Sequence, residues 1–317
     1  MTLSALARRL WVLAVSVLVS SVLVFAFMQV LPGDPARVAL GINASEEAVA
    51  QLRADYGLDR PLPTRYLEWM NGLAHGDLGV SYLSHLQIGP LIADRLGVTA
   101  WLVGAGMLVA CLVAVPLGVL AAVRHRRPSG VALAAFSQVG VAIPAFLAGI
   151  LLITVFAVHL RWLPAGGWSA PSSDPVAFAR ALVLPALSLG LVQGAVLTRY
   201  VRSSVLEVLR EDYLRTARAK GLLPLPALVR HGLRNASIPV VTVLALQLTT
   251  LLIGAVVVER VFVIPGLGSL LLDAVGSRDL LVVQNVVMVL VLAVLAVNAL
   301  VEVCYLLIDP RMRVRRS

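Results

Sequence analysis

The side chains that could bind or react are concentrated in residues 202–239, a polar segment in the apolar second half of the chain. Basic residues in this segment or just before it outnumber its acidic residues, Glu207, Glu211 and Asp212. No enzyme-like constellation accompanies them, so we interpret the segment as a polar surface. Its basic residues are Arg199, Arg202, Arg210, Arg215, Arg218, Lys220, Arg230 and Arg234.

Helix-forming residues extend from Ser203 to Lys220, and apolar side chains recur among them every three to four residues. This spacing predicts one amphipathic helix. Gly221 stands where a helix C-terminus favours a residue that can adopt a positive φ. The apolar positions are Leu206, Leu209, Tyr213 or Leu214, and Ala217.

Pro224 and Pro226 prevent this helix from continuing directly beyond Gly221. A second short helix is predicted over residues 227–234. Ser237 is then expected to cap a membrane span that begins near Pro239. The segment should therefore form a helix, a glycine turn and a second helix across the end of a membrane bundle.

Composition indicates an integral membrane protein. Of the 317 residues, 59% are hydrophobic and only 14% are charged, whereas soluble domains carry about 25% charged residues. The apolar runs predict an all-α integral membrane protein with six transmembrane helices. The predicted spans are residues 10–31, 98–123, 131–158 with a bend at Pro144, 181–201, 238–258 and 280–308.

The first apolar run could also be a signal peptide, because Arg8 and Arg9 precede it. The run from Leu10 to Leu31 is long enough to cross about 30 Å of hydrocarbon, and small residues do not mark a cleavage site. We therefore interpret it as a retained first span.

The distribution of arginine predicts the orientation. If both chain ends and residues 124–130 and 199–237 share one side, that side holds seventeen of the 26 basic residues but only four of the 17 acidic ones. Basic residues collect on the cytoplasmic side of a membrane. Both ends are thus expected to be cytoplasmic and residues 33–97 external. The net charge of +9 reflects this topology and is not evidence for nucleic acid binding.

The external region, residues 33–97, is predicted to contain one clear helix, from Ser45 to Tyr56. Ser45 should cap it, with two glutamates in its first turn. The four aspartates of this region do not have the spacing of a calcium loop. We interpret them as turn and cap residues; they are Asp34, Asp55, Asp59 and Asp77.

Other chemistry finds little support in the chain. A G-x-x-x-x-G-K-[ST] phosphate loop is absent, so the chain itself is not expected to bind ATP. His159 and His231 lack metal-ligand partners in their spacing, so no metal site is predicted. Glu302 is the one acid well inside a span, whereas a proton-driven transporter would need paired membrane carboxylates. Energy for transport should therefore enter from another protein.

The stretch EVLREDYLRTARAKGL, residues 207–222, followed by HGLRNASIPVVTV, resembles the cytoplasmic EAA loop of ABC-importer permeases. The version is that of the dipeptide/oligopeptide/nickel family. Ala217 and Gly221 match the general motif, whereas Arg215 and Thr216 stand where its Glu and Ala would be, departures that are usual for the peptide branch. The resemblance implies that a short coupling helix here docks in a cleft of an ATPase subunit.

The resemblance covers almost the full chain and is closest to the dipeptide permease B-type subunit. One departure is Leu280-Leu281, where the family commonly has an aromatic residue followed by proline. The other matching stretches are residues 32–35, 56–61, 76–81, 259–268, 278–279 and 309–311.

The family implies a type I ABC importer transmembrane domain with an N-terminal external region, in the inner membrane of a bacterium. The expected parts are residues 1–97, with the first span and the external segment; residues 98–308, with the coupling loop 202–237; and a cytoplasmic tail, 309–317. The implied partners are a second homologous permease, two ATPase domains, an external substrate-binding protein and membrane lipid. ATP and Mg would be bound by the partner subunits and no cofactor by this chain.

The resemblance also suggests residue roles. Residues for coupling to the ATPase are Glu207, Asp212, Tyr213, Arg215, Thr216, Ala217, Arg218, Ala219, Lys220 and Gly221. Candidates for the transport pathway are polar residues within spans, and a neutral lining of this kind would suit varied peptides. These candidates are Gln193, Gln247, Thr249, Thr250 and Asn285.

The expected function is therefore import of di- or oligopeptides as a transport subunit and not as an enzyme. A nickel or metal-chelate permease is the alternative within the family, since selection would rest with the binding protein. A secondary transporter would need membrane carboxylates and an inverted repeat, and neither is convincing here. A membrane enzyme would need a polar catalytic cluster, and only residues 33–97 could hold one.

Overall fold

The computed structural model describes residues 3–30, 34–41 and 43–308, which leaves the predicted Pro32-Gly33 match and the tail 309–317 outside the described residues. The described residues are helical apart from turns and one isolated bridge between Val80 and Gln87. The helices are α1 (Leu3–Val30), α2 (Pro35–Leu40), α3 (Glu46–Asp55), α4 (Leu62–His75), α5 (Ile88–Val123), α6 (Pro128–Ala142), α7 (Ala145–Leu152), α8 (Pro175–Val208), α9 (Asp212–Ala219), α10 (Pro224–Ala227), α11 (Leu233–Val261), α12 (Leu267–Ser277) and α13 (Leu280–Ile308), with π-helical segments Ile153–His159 after α7 and Leu228–Gly232 after α10.

Among the described residues, five helices are long and apolar enough to cross a membrane, and a bent pair makes a sixth span if its two parts cross as one. The pair is α6 with α7 and its π-helical extension, and the two parts differ in direction by 98°. The bend lies at Ile143 and Pro144, which are both extended. Proline has no N–H to donate and disfavours the helical conformation in the preceding residue, which explains the break. The predicted all-α fold with six spans is therefore confirmed.

Most membrane helices are longer than the predicted spans, whereas α13 matches its predicted span, residues 280–308. Helix α5 begins at Ile88 and α8 at Pro175, whereas the predicted spans began at residues 98 and 181. The predictions were shorter because hydropathy marks only the part of a helix that matches the hydrocarbon. The predicted cap at Ser237 is wrong: α11 begins at Leu233, and Pro239 lies inside it. The Ser237 hydroxyl instead donates to the carbonyl of Arg234. Prolines are tolerated inside membrane helices when neighbouring groups compensate for the lost bond.

Backbone contacts divide the described chain into two compact units. The first comprises described residues within Met1–Val98 and Gly266–Ala296, and the second those within Thr99–Pro265 and from Val297 onward. One apolar core of the first unit surrounds Ile88, Leu267 and Val286, all fully buried.

The described residues between α1 and α5 form three helices, whereas one clear helix was predicted there. Helix α3 is as predicted, and the Ser45 hydroxyl accepts from the Ala48 N–H at 3.2 Å. The sequence reading missed α2, which Asp34 caps through the Ala36 N–H at 3.1 Å, and α4, which ends at Gly76 with φ 77°. The start of α2 and the end of α4 carry ordinary sequence signals. The first is an aspartate before a proline, and the second is a glycine, which adopts a positive φ without steric cost.

In the second unit, small residues let α5, α8 and α11 approach closely. A Cβ added at Gly190 of α8 would lie 2.5 Å from the Cβ of Val109 of α5, and one at Gly194 would lie 3.4 Å from the Cα of Ala110. Small residues at such crossings are typical of membrane helix pairs. Where α8 meets α11, the Ser204 hydroxyl donates to the Ala236 carbonyl at 2.7 Å, and both residues are buried.

We predict that Gly190→Ala destabilises the protein by about 1–3 kcal/mol, the usual cost of overpacking a close-packed site. The matched control is Gly104→Ala on α5, where an added Cβ meets nothing within 4 Å. The measurement is the midpoint of thermal unfolding in detergent, which should fall for Gly190→Ala only. Equal midpoints for the two variants would show that the close approach of α8 and α5 is not required.

Candidate functional site

The polar segment does not form the continuous helix predicted from Ser203 to Lys220. Helix α8 ends at Val208, and α9 begins at Asp212 after a three-residue turn. Glu211 is extended, with φ −67° and ψ 141°, which separates the two helices. Asp212 then lies in the first turn of α9, where the helix dipole favours a negative charge.

The buried face of α9 is centred on Leu214. This side chain is fully buried, whereas Tyr213 is 38% exposed, so Leu214 is the apolar position that faces the bundle. The Tyr213 hydroxyl accepts from Nδ2 of Asn235 at 3.0 Å. The cluster around Leu214 joins α9 to α5, α8, α10 and α11; its buried members are Ala114, Ala122, Leu197, Val201, Val205, Val208, Leu214, Ala227, Leu228 and Ala236, with Ala217 packed against it.

Gly232 allows this packing. A Cβ at Gly232 would lie 2.8 Å from Cδ1 of Leu228, 2.9 Å from Cγ1 of Val208 and 3.3 Å from Cδ1 of Leu214. Gly232 ends the π-helical segment Leu228–Gly232, which continues into α11. The prediction of a separate helix over residues 227–234 is therefore wrong. The segment is π-helical from Leu228 to Gly232 and continues directly into α11. The underside of α9 is thus fixed directly to the start of a membrane helix.

The opposite face of α9 is polar and solvent-exposed. Arg215 and Asp212 form an ion pair of 3.3 Å, but their side chains are 68% and 94% exposed, and such pairs contribute little. Within the described residues, Arg218 and Lys220 form no ion pair. Their charged groups are exposed to solvent. The exposed predicted coupling residues are Glu207, Asp212, Tyr213, Arg215, Thr216, Arg218, Ala219, Lys220 and Gly221.

Gly221 ends α9 as its position suggested. Its φ is +94°, and its N–H donates to the Arg218 carbonyl at 3.0 Å. An added Cβ would meet nothing within 4 Å. The position therefore favours glycine because of backbone conformation and not because of space.

Two of the predicted pathway residues lie on the packed helices α8 and α11, Gln193 on α8 and Gln247 on α11. A Cβ at Gly254 would lie 3.3 Å from the Leu189 side chain, and Ser204 bonds Ala236, so the helices run antiparallel. Gln193 and Gln247 are both buried. Within the described residues, Nε2 of Gln247 has no hydrogen-bond partner. A buried amide donor without a partner carries a cost of about 1–3 kcal/mol.

The threonines differ in their surroundings. Thr249 is half-buried, whereas Thr250 is exposed and its hydroxyl donates to the Leu246 carbonyl at 3.1 Å. That bond to the preceding turn of the same helix satisfies the hydroxyl without a second helix.

Asn285 is a hydrogen-bond centre of the first unit. Its Oδ1 accepts from Nε1 of Trp69 at 3.1 Å, and its Nδ2 donates to the carbonyls of Leu78 at 3.0 Å and Leu281 at 2.9 Å. Sequence reasoning missed Trp69, because no local pattern links residues so far apart in the chain. Ser81 likewise donates to the Asp279 carboxylate, and both are buried.

Comparison with known proteins identifies the family. Residues 114–314 match the binding-protein-dependent transport system inner membrane component, and residues 2–103 match the N-terminal region of the binding-protein-dependent transport system membrane component. The chain belongs to this family. It is therefore the permease subunit of an ABC importer, a multi-pass inner-membrane transport component and not an enzyme.

Permeases of this family are similar to the chain over nearly its full length. It is 41% identical over 307 residues to the glutathione transport system permease protein GsiC of Salmonella choleraesuis, covering 96% of this chain and 97% of the relative. It is also 41% identical to GsiC of Pectobacterium atrosepticum, with the same coverage. These relatives confirm the predicted resemblance to permeases of the dipeptide/oligopeptide type.

A solved structure shares the permease fold. The inward-facing MetNI methionine ABC transporter aligns with a TM-score of 0.57 and 18% identity, over 69% of this chain and 96% of that chain. At this identity the likeness shows the fold alone. It confirms the predicted fold of an ABC importer transmembrane domain.

The two buried amides should respond in opposite ways to removal. Asn285→Leu should lower the free energy of unfolding by about 1–3 kcal/mol. The substitution removes the acceptor of the Trp69 indole N–H and the donor to the carbonyls of Leu78 and Leu281. Gln247→Leu should be close to neutral or stabilising, because it removes a donor that is already unpaired. Thermal unfolding of both variants in detergent checks this pair of outcomes. A Gln247→Leu protein as unstable as Asn285→Leu would mean that Gln247 makes an important bond in the folded permease.

Proposed function

We propose that this permease imports short peptides and that α9 is the helix through which partner ATPases drive it. The supporting observation is the two-sided character of α9. Its apolar side chain Leu214 is buried among membrane helices, while Arg218 and Lys220 are exposed and carry no ion pair within the described residues. A helix held in this way can contact a partner on one face and transmit motion to the bundle through the other.

The substrate class is supported by the relatives and by the spans. Glutathione, the substrate in the relatives' names, is a tripeptide. The pathway candidates Gln193, Gln247, Thr249, Thr250 and Asn285 are all neutral. Neutral amides and hydroxyls can bond peptide backbones without selecting strongly among side chains. Peptides are therefore favoured over nickel or a metal chelate.

The partners follow from the permease role. We propose a second homologous permease to complete the pathway, two cytoplasmic ATPase domains that bind ATP and Mg, and an external binding protein that delivers the peptide. Both chain ends and the loop 202–237 would then be cytoplasmic, and residues 33–97 external. The arginine distribution supports this orientation.

Transport would depend on two arrangements of the helix bundle. We propose residues 1–97 as the first span with the external segment, 98–308 as the transmembrane domain and 309–317 as a cytoplasmic tail. Closure of the ATPases would displace α9, and the contacts of Leu214 with Val208 and Leu228 would carry this displacement to α8 and α11. A ligand shifts such an equilibrium only through its different affinity for the two states. ATP in the partner subunits supplies that difference.

Uptake by the reconstituted complex tests the substrate and the class together. The permease and the products of its neighbouring genes would be placed in liposomes and given labelled dipeptide, a longer peptide or nickel, with and without internal ATP. We expect ATP-dependent uptake of peptide. Uptake of nickel alone would place the protein in the metal branch, and uptake by this chain without ATPases would refute coupling through α9.

Changes in α9 should uncouple transport without unfolding the permease. Arg218→Glu is expected to lower uptake about ten-fold or more, because placing like charges together across an interface costs several kcal/mol. Gly221→Pro should have a similar effect, because proline cannot adopt φ +94° and would lose the N–H bond to Arg218. ATP-driven peptide uptake is measured beside thermal stability.

The control is Arg126→Glu, a charge reversal at another exposed arginine of the same predicted side. It should transport normally. Normal uptake by a well-expressed Gly221→Pro protein would mean that α9 is not the coupling helix, as would equal loss in Arg218→Glu and Arg126→Glu.

A further inference from the structure

A cavity of about 650 Å³ lies within the first unit. Its walls come from the end of α1, from α3 and α4, from residues 77–82 and from the start of α13. This volume is within the range of small-molecule sites, about 300–1,000 Å³. The predicted roles of the external region, turns and helix caps, do not account for it.

Gln284 lines this cavity from α13. The residue is only 6% exposed. The next residue, Asn285, is also buried and satisfies both ends of its amide. A polar side chain in the wall of a cavity can bond a ligand bound there. One side-chain amide can donate to a peptide carbonyl and accept from a peptide N–H.

Two of the three arginines in the wall are already neutralised. Arg53 contacts Asp34 at 3.0 Å and Asp59 at 3.2 Å, and the hydrogen bond to Asp59 together with the charge of Asp34 raises the pKa of Arg53. Arg60 contacts Glu68 at 2.8 Å. These pairs hold α3 and α4 in place and leave no basic charge for a ligand.

Arg65 is the third arginine, and it differs from the other two. Its guanidinium reaches only neutral acceptors, Oε1 of Gln29 at 3.3 Å and the carbonyl of Leu58 at 3.4 Å. Within the described residues it has no carboxylate partner. A planar guanidinium with spare donors binds a carboxylate through two parallel hydrogen bonds. Arg65 can therefore hold the carboxyl end of a ligand.

Two carboxylates in the same wall have no basic partner among the described residues. Asp77 accepts from the Gly79 N–H at 2.9 Å, and Asp55 accepts from the Gln51 amide at 3.3 Å. Both carboxylates are exposed and negative. The cavity thus presents one unneutralised positive group together with unneutralised negative groups, which is the complement of a zwitterion.

Aromatic side chains complete the walls. The Tyr56 and Tyr82 rings stack at 4.4 Å, and the Tyr56 hydroxyl donates to the Tyr82 carbonyl at 2.7 Å. The Phe25 and Trp69 rings stack at 6.2 Å. Such surfaces contact apolar side chains of many shapes without a directional bond.

We propose that this cavity binds a short peptide with free ends, and this inference rests on the peptide substrate proposed above. Arg65 binds the peptide carboxylate, Asp77 or Asp55 binds its ammonium group, and Gln284 bonds a peptide group between them. The site recognises both ends and the backbone and leaves the side chains to the aromatic walls. It therefore suits a permease for peptides of varied sequence.

The test is calorimetric titration of the purified whole transporter with trialanine, without ATP or binding protein. Arg65→Ala and Gln284→Leu should each weaken binding about ten-fold or more, as expected for the loss of a hydrogen bond to a charged group or of a buried amide pair. The control is Arg37→Ala, whose exposed partner is Glu46 and which does not line the cavity. It should bind trialanine as the unmodified protein does. N-acetyl-trialanine amide, with both ends blocked, should bind at least ten-fold more weakly.

The proposal is overturned if unmodified transporter does not bind trialanine, if Arg65→Ala and Arg37→Ala bind it equally, or if blocked and free peptides bind alike. Thermal unfolding midpoints of all variants verify that a loss of binding is not a loss of fold. Weaker affinity of Arg65→Ala for the binding protein, with no trialanine binding, would instead make the cavity a docking surface for that protein. Trialanine binding without ATP-dependent peptide uptake would retain the cavity site and refute the proposed transport function.

Discussion

The burial of Leu214 is the contact on which the arrangement of the polar loop depends. Helix α9 is short and strongly charged, and helices of this length are not stable in water by propensity alone. Leu214 is fully buried beside Val208 and Leu228, and this packing holds α9 against the membrane helices. At Gly232 the side chains of Leu228, Val208 and Leu214 pack so closely that an added Cβ would not fit without a shift. Protein interiors packed in this way transmit displacement and do not absorb it.

The burial of Leu214 also explains why the continuous helix predicted over residues 203–220 is not formed. Residues 203–220 contain neither proline nor glycine, so their pattern predicts an uninterrupted helix. The break at Leu209–Glu211 turns Leu214 toward the cluster that includes Val208, a tertiary gain that local propensity does not contain. Helix α11 likewise begins before Pro239, because its first turn packs through Ala236 against Ser204. In both places contacts between helices override the local signal.

Features that depend on local chemistry were predictable. The six spans follow from hydropathy, the bend at Pro144 from the geometry of proline, and the positive φ of Gly221 from its place after the helix. The exposed charges of α9 follow from its composition, since unpaired charges are rarely buried. Helices α2 and α4 carried equally clear signals, Asp34 before a proline and Gly76 after the last turn, although the sequence analysis predicted neither helix.

The first unit could not be predicted in this way, because its polar contacts join segments about two hundred residues apart. Trp69 meets Asn285, and Ser81 meets Asp279, although neither pair shares a local motif. These bonds fix the start of α13 against the segments that hold Trp69 and Ser81, and Gln284 is the neighbour of one of the bonded residues. Asn285 holds the start of α13 to α4, whereas Gln284, one residue earlier, lines the cavity. This separation of roles, one amide for the fold and one facing the cavity, is a consequence of their one-residue offset on α13.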